Sequence, residues 1–260
     1  MDIEHLIINS INSKIPISFS KYGDGEYYCA ITTNYNYNNC DKDNYTKKLS
    51  DAIKNSFKYI VENSDNYYIG KWHENDDVSK YWESLVNKDV KWANYHTLID
   101  HFNEGEEKTK TKVEIFKTIK NSNLKKIIIC NKLLIKSKIL LNIDFMFNVP
   151  FNNWFDDYFD NLINDIKNTI NPNEQYIIMT CCGMSAKVVI AELHKLFPNN
   201  IYIDIGSAID EICTKKNSRS LIYNYDNFMK YYSVIIPSEW NDEKYDYIYE
   251  EAKKYLGLHL

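Results

Sequence analysis

The chain has 260 residues, 44% hydrophobic and 26% charged, with net charge −5, so it can bury one sizeable core and nothing in it demands a second domain. Its lysines are interspersed with carboxylates, which excludes the basic stripe that tracks nucleic acid. No apolar run reaches the roughly 18 residues of a membrane span, and MDIEHLIINSINSK is too polar for a secretory leader, which predicts a soluble cytoplasmic protein (host cytoplasm for a viral source).

Residues 3–13 read as an amphipathic helix with Ile3, Leu6, Ile7 and Ile11 on one face, stopped by Pro16. The segment ISFSKY at 17–22 reads as a strand and EYYCAI at 26–31 as a short helix. An Asn-rich loop, 34–44, is the one low-complexity segment and is expected to be a mobile surface loop. Then come a helix over 49–61, a strand at 67–72, a helix at 78–86 and a strand at 90–95. The lysine-dense stretch 108–126 carries Glu114 and follows Glu106 and Glu107, so it reads as a solvated helix face.

The second half is patterned more sharply. KKIIICN at 125–131 is a continuous apolar run of the kind buried in a parallel sheet, and 143–150 is another strand, ended by Pro150. A helix over 152–170 carries an apolar stripe that includes Trp154, Phe155, Phe159, Leu162 and Ile166, with Asn152 or Asn153 as its cap. QYIIMTCC at 175–182, a turn and helix over 183–197, and a strand at 200–206 complete a β–turn–α–β run. This predicts a right-handed crossover in a Rossmann-like, doubly wound, mostly parallel α/β sheet flanked by helices, in one domain spanning 1–260.

In such a sheet ligands bind beyond the carboxyl ends of the strands, and four of the seven glycines fall there: Gly23, Gly25, Gly183 and Gly206. Gly23 and Gly25 frame Asp24 in YGDGE. On near-extended backbone Asp24 and Glu26 point to one side and share a hard cation such as Mg2+ or Mn2+, with diphosphate oxygens filling its other positions. The competing reading is an acidic turn that caps the helix after it. In TCCGMSAK, Gly183 exposes free helix N–H groups that favour phosphate or ribose oxygens, and Ser185 adds a hydroxyl; a plain strand-to-helix turn is the alternative. There is no GxGxxG, which argues against a dinucleotide enzyme. In YIDIGSAIDE, Asp204 lies in an apolar strand, where an unpaired carboxylate is costly, and Asp210 and Glu211 follow Gly206 at the same end of the sheet.

Composition adds one more candidate. Asparagine occurs 32 times, and 30 of the 31 basic residues are lysine, a bias expected of an AT-rich genome. The lone arginine, Arg219, is therefore informative, because its planar fork grips a phosphate or carboxylate in a way lysine cannot. The six cysteines show no CxxC spacing and several sit in apolar runs, which predicts buried thiols rather than a zinc site or disulfide framework. The segment WHENDD, with His73, Glu74, Asp76 and Asp77, reads as the acidic first turn of a helix, and His96 and His101 do not share a helix face.

FSKYGDGEYY resembles the RFGDGE segment of GT-D-type glycosyltransferases. CCGMSAKVVIAEL followed by IDIGSAID resembles that family's later Gly–Ala–Lys block and DIG strand end, and VPFNNWFDDY resembles a VP…N-W-x-D-Y stretch. The blocks are colinear from about residue 17 to 225. Lys21 replaces the family arginine, and Ser207 stands where some members have histidine. The resemblance implies a Rossmann-like fold and transfer of a sugar from a UDP-sugar or similar donor to a hydroxyl of a glycan or glycoprotein. It implies a DxE metal motif at Asp24 and Glu26, a nucleotide-side block at Gly183 and Ser185, and a catalytic acid/base near Asp210. Asp204, Ser207 and, from composition alone, Arg219 are expected on the donor side as well. A binding module without turnover and a metal-dependent nucleotide phosphohydrolase are the alternatives.

Overall fold

The computed structural model describes residues 3–63, 65–71, 76–94, 106–210 and 213, excepting the side chains of 106–109. In chain order the first half holds helix α1 (Ile3–Ser13), strand β1 (Ile17–Lys21), α2 (Asp24–Ile31), α3 (Lys47–Glu62), β2 (Tyr67–Lys71), α4 (Asp77–Ser84) and β3 (Lys91–Asn94). The second half holds α5 (Glu106–Asn121), β4 (Lys125–Cys130), β5 (Phe145–Asn148), α6 (Phe155–Thr169), β6 (Tyr176–Cys181), α7 (Ala186–Leu196) and β7 (Ile201–Asp204). The strands form one seven-stranded sheet in the order β3-β2-β1-β7-β6-β4-β5, and every neighbouring pair is parallel.

The continuous apolar runs have a direct cause: the central strands are buried on both faces. Successive side chains of β4 alternate, Ile128 and Cys130 into one core layer and Ile127 and Ile129 into the other. The first layer is closed by α1 and α5, the second by α2, α3, α4, α6 and α7. The stripe of α1 read from sequence is the buried one, with Ile3, Ile7 and Ile11 almost fully inside. The lysine-rich helix α5 turns Val113, Ile115, Phe116 and Ile119 inward and leaves Glu114 and Lys117 exposed, although Lys112 is buried.

Two local expectations differ. Neither Asn152 nor Asn153 caps α6; its N-cap is Trp154, without a side-chain cap. Instead, Asn153 adopts a left-handed φ of 55° and binds the Asn-rich loop: its Oδ1 accepts from the Asn44 N–H at 2.7 Å and its own N–H donates to Asp43. The loop is on the surface, yet it is pinned from its far side by these bonds. Secondly, the chain at Asp24 and Glu26 is helical, not extended, because α2 begins at Asp24 with Gly23 as its N-cap.

All strands run parallel, so all their carboxyl ends lie on one edge. There β4 leads outward to β5 while its neighbour β6 leads the other way to β7, and connections that part in this fashion open a crevice.

Candidate active site

Three connections meet on that edge: β1 into α2, β6 through a 3-10 turn (Gly183–Ser185) into α7, and β7 into a second turn (Gly206–Ile209). Beneath them lie four charged side chains, each less than a tenth exposed: Lys21, Glu26, Lys187 and Asp204. Lys187, in the first turn of α7, places Nζ 2.5 Å from Glu26 Oε1 and 3.3 Å from Asp204 Oδ2. Asp204 Oδ2 also accepts from the Lys21 backbone N–H at 3.0 Å, and its Oδ1 lies 3.8 Å from Lys21 Nζ. Glu26 Oε2 turns back to accept from the N-cap Gly23 N–H at 2.8 Å. Two cations and two anions thus close a neutral quartet that ties β1, α2, α7 and β7 together.

Burial alone would lower the Lys187 pKa, but Asp204 and Glu26 outweigh it and raise the ammonium above the ordinary lysine range. At Lys21 the balance goes the other way: burial lowers it, with Asp204 opposing. Glycine at 206 follows from this packing. Its φ is 51°, and a Cβ there would run into the Lys21 ammonium and lie 3.3 Å from Lys21 Cε.

The residues expected from sequence divide into two tiers. Glu26, Asp204 and Ser185 are buried, and the Ser185 hydroxyl has no hydrogen-bond partner, so they support the rim rather than form it. Asp24 is exposed at the first position of α2, its Oδ1 accepting from the Gly25 N–H at 2.9 Å. Gly183 has a φ of 62° and lies open, while Gly25 packs against the same turn, a Cβ there standing 3.3 Å from Met184 Cγ. Asp210 is half-buried past the second turn, near enough to the Cys130, Cys181 and Cys213 thiols to help raise them on top of their burial. Ser207 is half-buried with an unpartnered hydroxyl. Asp76 caps α4 by accepting from the Ser79 N–H at 2.6 Å, the acidic first turn read from sequence. Arg219, Glu211, His73, Glu74, His96 and His101 lie outside the described residues.

The helical start of α2 changes what Asp24 and Glu26 can do. Glu26 spends both oxygens inside the protein, one on an ammonium and one on a backbone N–H, while Asp24 alone faces out. Among the described residues no group of three or more His, Cys, Asp or Glu side chains could hold a metal ion. Sequence reasoning met Lys21 only as a replacement for the family arginine and Lys187 only as part of a motif block, and gave neither a role, although one signal was available: Lys187 is the only charged residue in the apolar run from Ala186 to Ala191.

No family model and no curated protein sequence matches the chain. Solved structures do. A domain of unknown function 1792 described as having a distinct glycosyltransferase fold superposes with a TM-score of 0.56 at 16% identity, covering 94% of this chain and 92% of that one. A glycosyltransferase (DUF1792) from Streptococcus sanguinis gives a TM-score of 0.57 at 12% identity, over 94% and 95% of the two chains. The chain has this glycosyltransferase fold. A selenomethionine form of the domain agrees, with a TM-score of 0.53 at 15% identity over 94% and 97%. The colinear blocks implied a Rossmann-like glycosyltransferase fold, and that is the fold these structures share with the chain. No helix among the described residues is long and apolar enough to cross a membrane.

Proposed function

We propose that the protein is a glycosyltransferase that moves a sugar from a nucleotide-diphosphate sugar, with UDP as the nucleotide, to a hydroxyl of a glycan or glycoprotein. One observation carries this reading: an outward carboxylate, Asp24, and an open helix entrance at Gly183 share one edge of the sheet, above a charge quartet that is already neutral. The exposed turn at Gly183, which leads through a 3-10 turn into α7, presents the N-terminal end of a helix to the oxygens of a diphosphate. The quartet demands no further counter-charge, so the charge of the rim is available to a ligand.

The donor set fits a hard divalent cation in one way. Mg2+ or Mn2+ commonly takes one or two protein carboxylates and fills its shell with phosphate and water oxygens, and Asp24 offers such an oxygen. Glu26 would serve as a positioning residue, holding the start of α2 through the Gly23 N–H, because a second ligand oxygen would have to leave Lys187. A cation held at Asp24 supplies positive charge against the leaving diphosphate. Asp210 accepts the proton of the acceptor hydroxyl as the bond from sugar carbon to diphosphate oxygen breaks and that to the acceptor oxygen forms. Arg219 grips the diphosphate with its fork; Arg219→Lys should then lose about tenfold to a hundredfold in kcat/KM with unchanged stability.

The decisive assay incubates the purified chain with UDP-sugars, with Mn2+ and with chelator, and identifies the products. Transfer, or release of free sugar with UDP, that stops with chelator is expected. Release of inorganic phosphate would assign a phosphohydrolase instead, and binding without turnover under all conditions would assign a binding module.

A further inference from the structure

The Asn-rich loop delivers a carboxylate to the same rim. Asp43 is only 6% exposed although it sits in a surface loop rich in asparagine, with Tyr35, Tyr37 and Lys42. Its placement is determined from two directions. Within the loop, Asn39 Oδ1 accepts from the N–H groups of Asp41 and Asp43 at 3.0 and 2.9 Å, and Lys42 takes a left-handed φ of 59°. From across the rim, Asn153 donates its N–H to Asp43 Oδ1 at 2.7 Å, and Asn152 Nδ2 reaches the Lys42 carbonyl at 3.3 Å. All of this leaves Oδ2 without a hydrogen bond, 3.6 Å from where a Cβ on Gly183 would stand.

Oδ2 is not fully enclosed and can be reached from the rim, while nothing in the loop requires its charge. Among the described residues Asp43 forms no ion pair, and the charges that act on it, Asp41, Asp156 and Glu26, are all negative. Asparagine would accept the Asn153 bond as well, and this chain uses asparagine 32 times. The loop geometry therefore accounts for Oδ1 but not for the charge. A carboxylate oxygen is a strong acceptor for hydroxyl groups and repels phosphate. Beside a helix entrance that receives a diphosphate, the hydroxyls within reach belong to the ribose on one side and the transferred sugar on the other.

We infer that Asp43 is a specificity-determining residue of the donor site, whose Oδ2 accepts hydrogen bonds from donor hydroxyls and keeps the diphosphate on the Gly183 side. This rests on the proposal that the site takes a nucleotide sugar, and it names a contact which that proposal does not need. The test is calorimetry on the full chain, wild type against Asp43→Asn, titrated with UDP and with whichever of UDP-glucose, UDP-galactose and UDP-N-acetylglucosamine the wild type binds best. Asp43→Asn retains an oxygen for Asn153, and its melting temperature should stay within a few degrees of wild type. An equal loss of about tenfold or more for both ligands assigns the ribose hydroxyls, and a loss confined to the UDP-sugar assigns the transferred sugar. Unchanged affinity for both overturns the inference while leaving the donor site standing. Failure of the wild type to bind either ligand removes the nucleotide-sugar reading, and the inference with it. Should Asp43→Asn melt early, Asp43→Ser under the same titrations carries the test.

Discussion

The floor and the rim of the site are built on opposite terms. On the floor, Lys21, Glu26, Lys187 and Asp204 are buried and pair with one another, so each charge is answered within the fold. On the rim, Asp24 is exposed, and Asp43, acted on only by negative side chains, holds one carboxylate oxygen without a hydrogen bond. The difference teaches which charges are structural. A group whose partners lie inside the protein contributes to holding elements together, whereas a group left short of partners at a sheet edge adds little to that cohesion.

This contrast breaks most visibly at Lys187. Lys187→Met leaves Glu26 and Asp204 buried without their shared ammonium, and should cost about 3–5 kcal/mol in urea unfolding. A loss under about 1 kcal/mol would mean that the quartet is not the keystone of the floor. Next in size is the pair that the sequence treats alike. Asp24→Asn should cut transfer on the order of a hundredfold with stability changed by less than about 0.5 kcal/mol. Glu26→Gln should lose activity and also about 1–3 kcal/mol of stability, because it removes the charge that faces Lys187 and replaces one of two accepting oxygens by an NH2 that can serve neither Lys187 nor the Gly23 N–H. Equal stability of the two variants would erase the distinction between floor and rim.

Gly183 tests the rim alone. Gly183→Ala should cost roughly 1–2 kcal/mol for its left-handed backbone, with donor affinity retained since the new Cβ meets Asp43 only at an ordinary 3.6 Å. Gly183→Val reaches further and should weaken the donor; full affinity in calorimetry would show a turn with no ligand on it.

The smallest effect is a dependence on pH. Burial first, then the neighbouring Asp41, Asp156 and Glu26, raise the Asp43 carboxyl above its ordinary 3.8 against the opposing Asn153 bond. An acid whose folded pKa is raised keeps its proton longer folded than unfolded, so it lowers stability as pH climbs from the ordinary value through the raised one. Asp43→Asn should therefore flatten that part of the stability–pH curve and match or exceed wild type at neutral pH. A steeper decline in the variant would place Asp43 among the structural charges.

The elements themselves were legible because they are local. The 3.6-residue stripe of α1, the unbroken apolar runs of β4 and β6 and the Gly183 turn between β6 and α7 each follow from neighbouring residues, and together they specify a doubly wound parallel sheet. Motif blocks at Asp24, Gly183 and Asp204 likewise pointed to one edge of that sheet. What the sequence could not say is how these residues divide the work. Alternation made Asp24 and Glu26 look like a pair facing one way, but an α-helix starting at Gly23 turns one outward and one down onto a lysine 161 positions later in the chain. Asp43 and Asn153, 110 positions apart, meet only because the sheet brings their loops together. Propensity and periodicity act over a few residues, whereas the pairing of buried charges is set by which strands lie side by side, and that was decided by the tertiary structure.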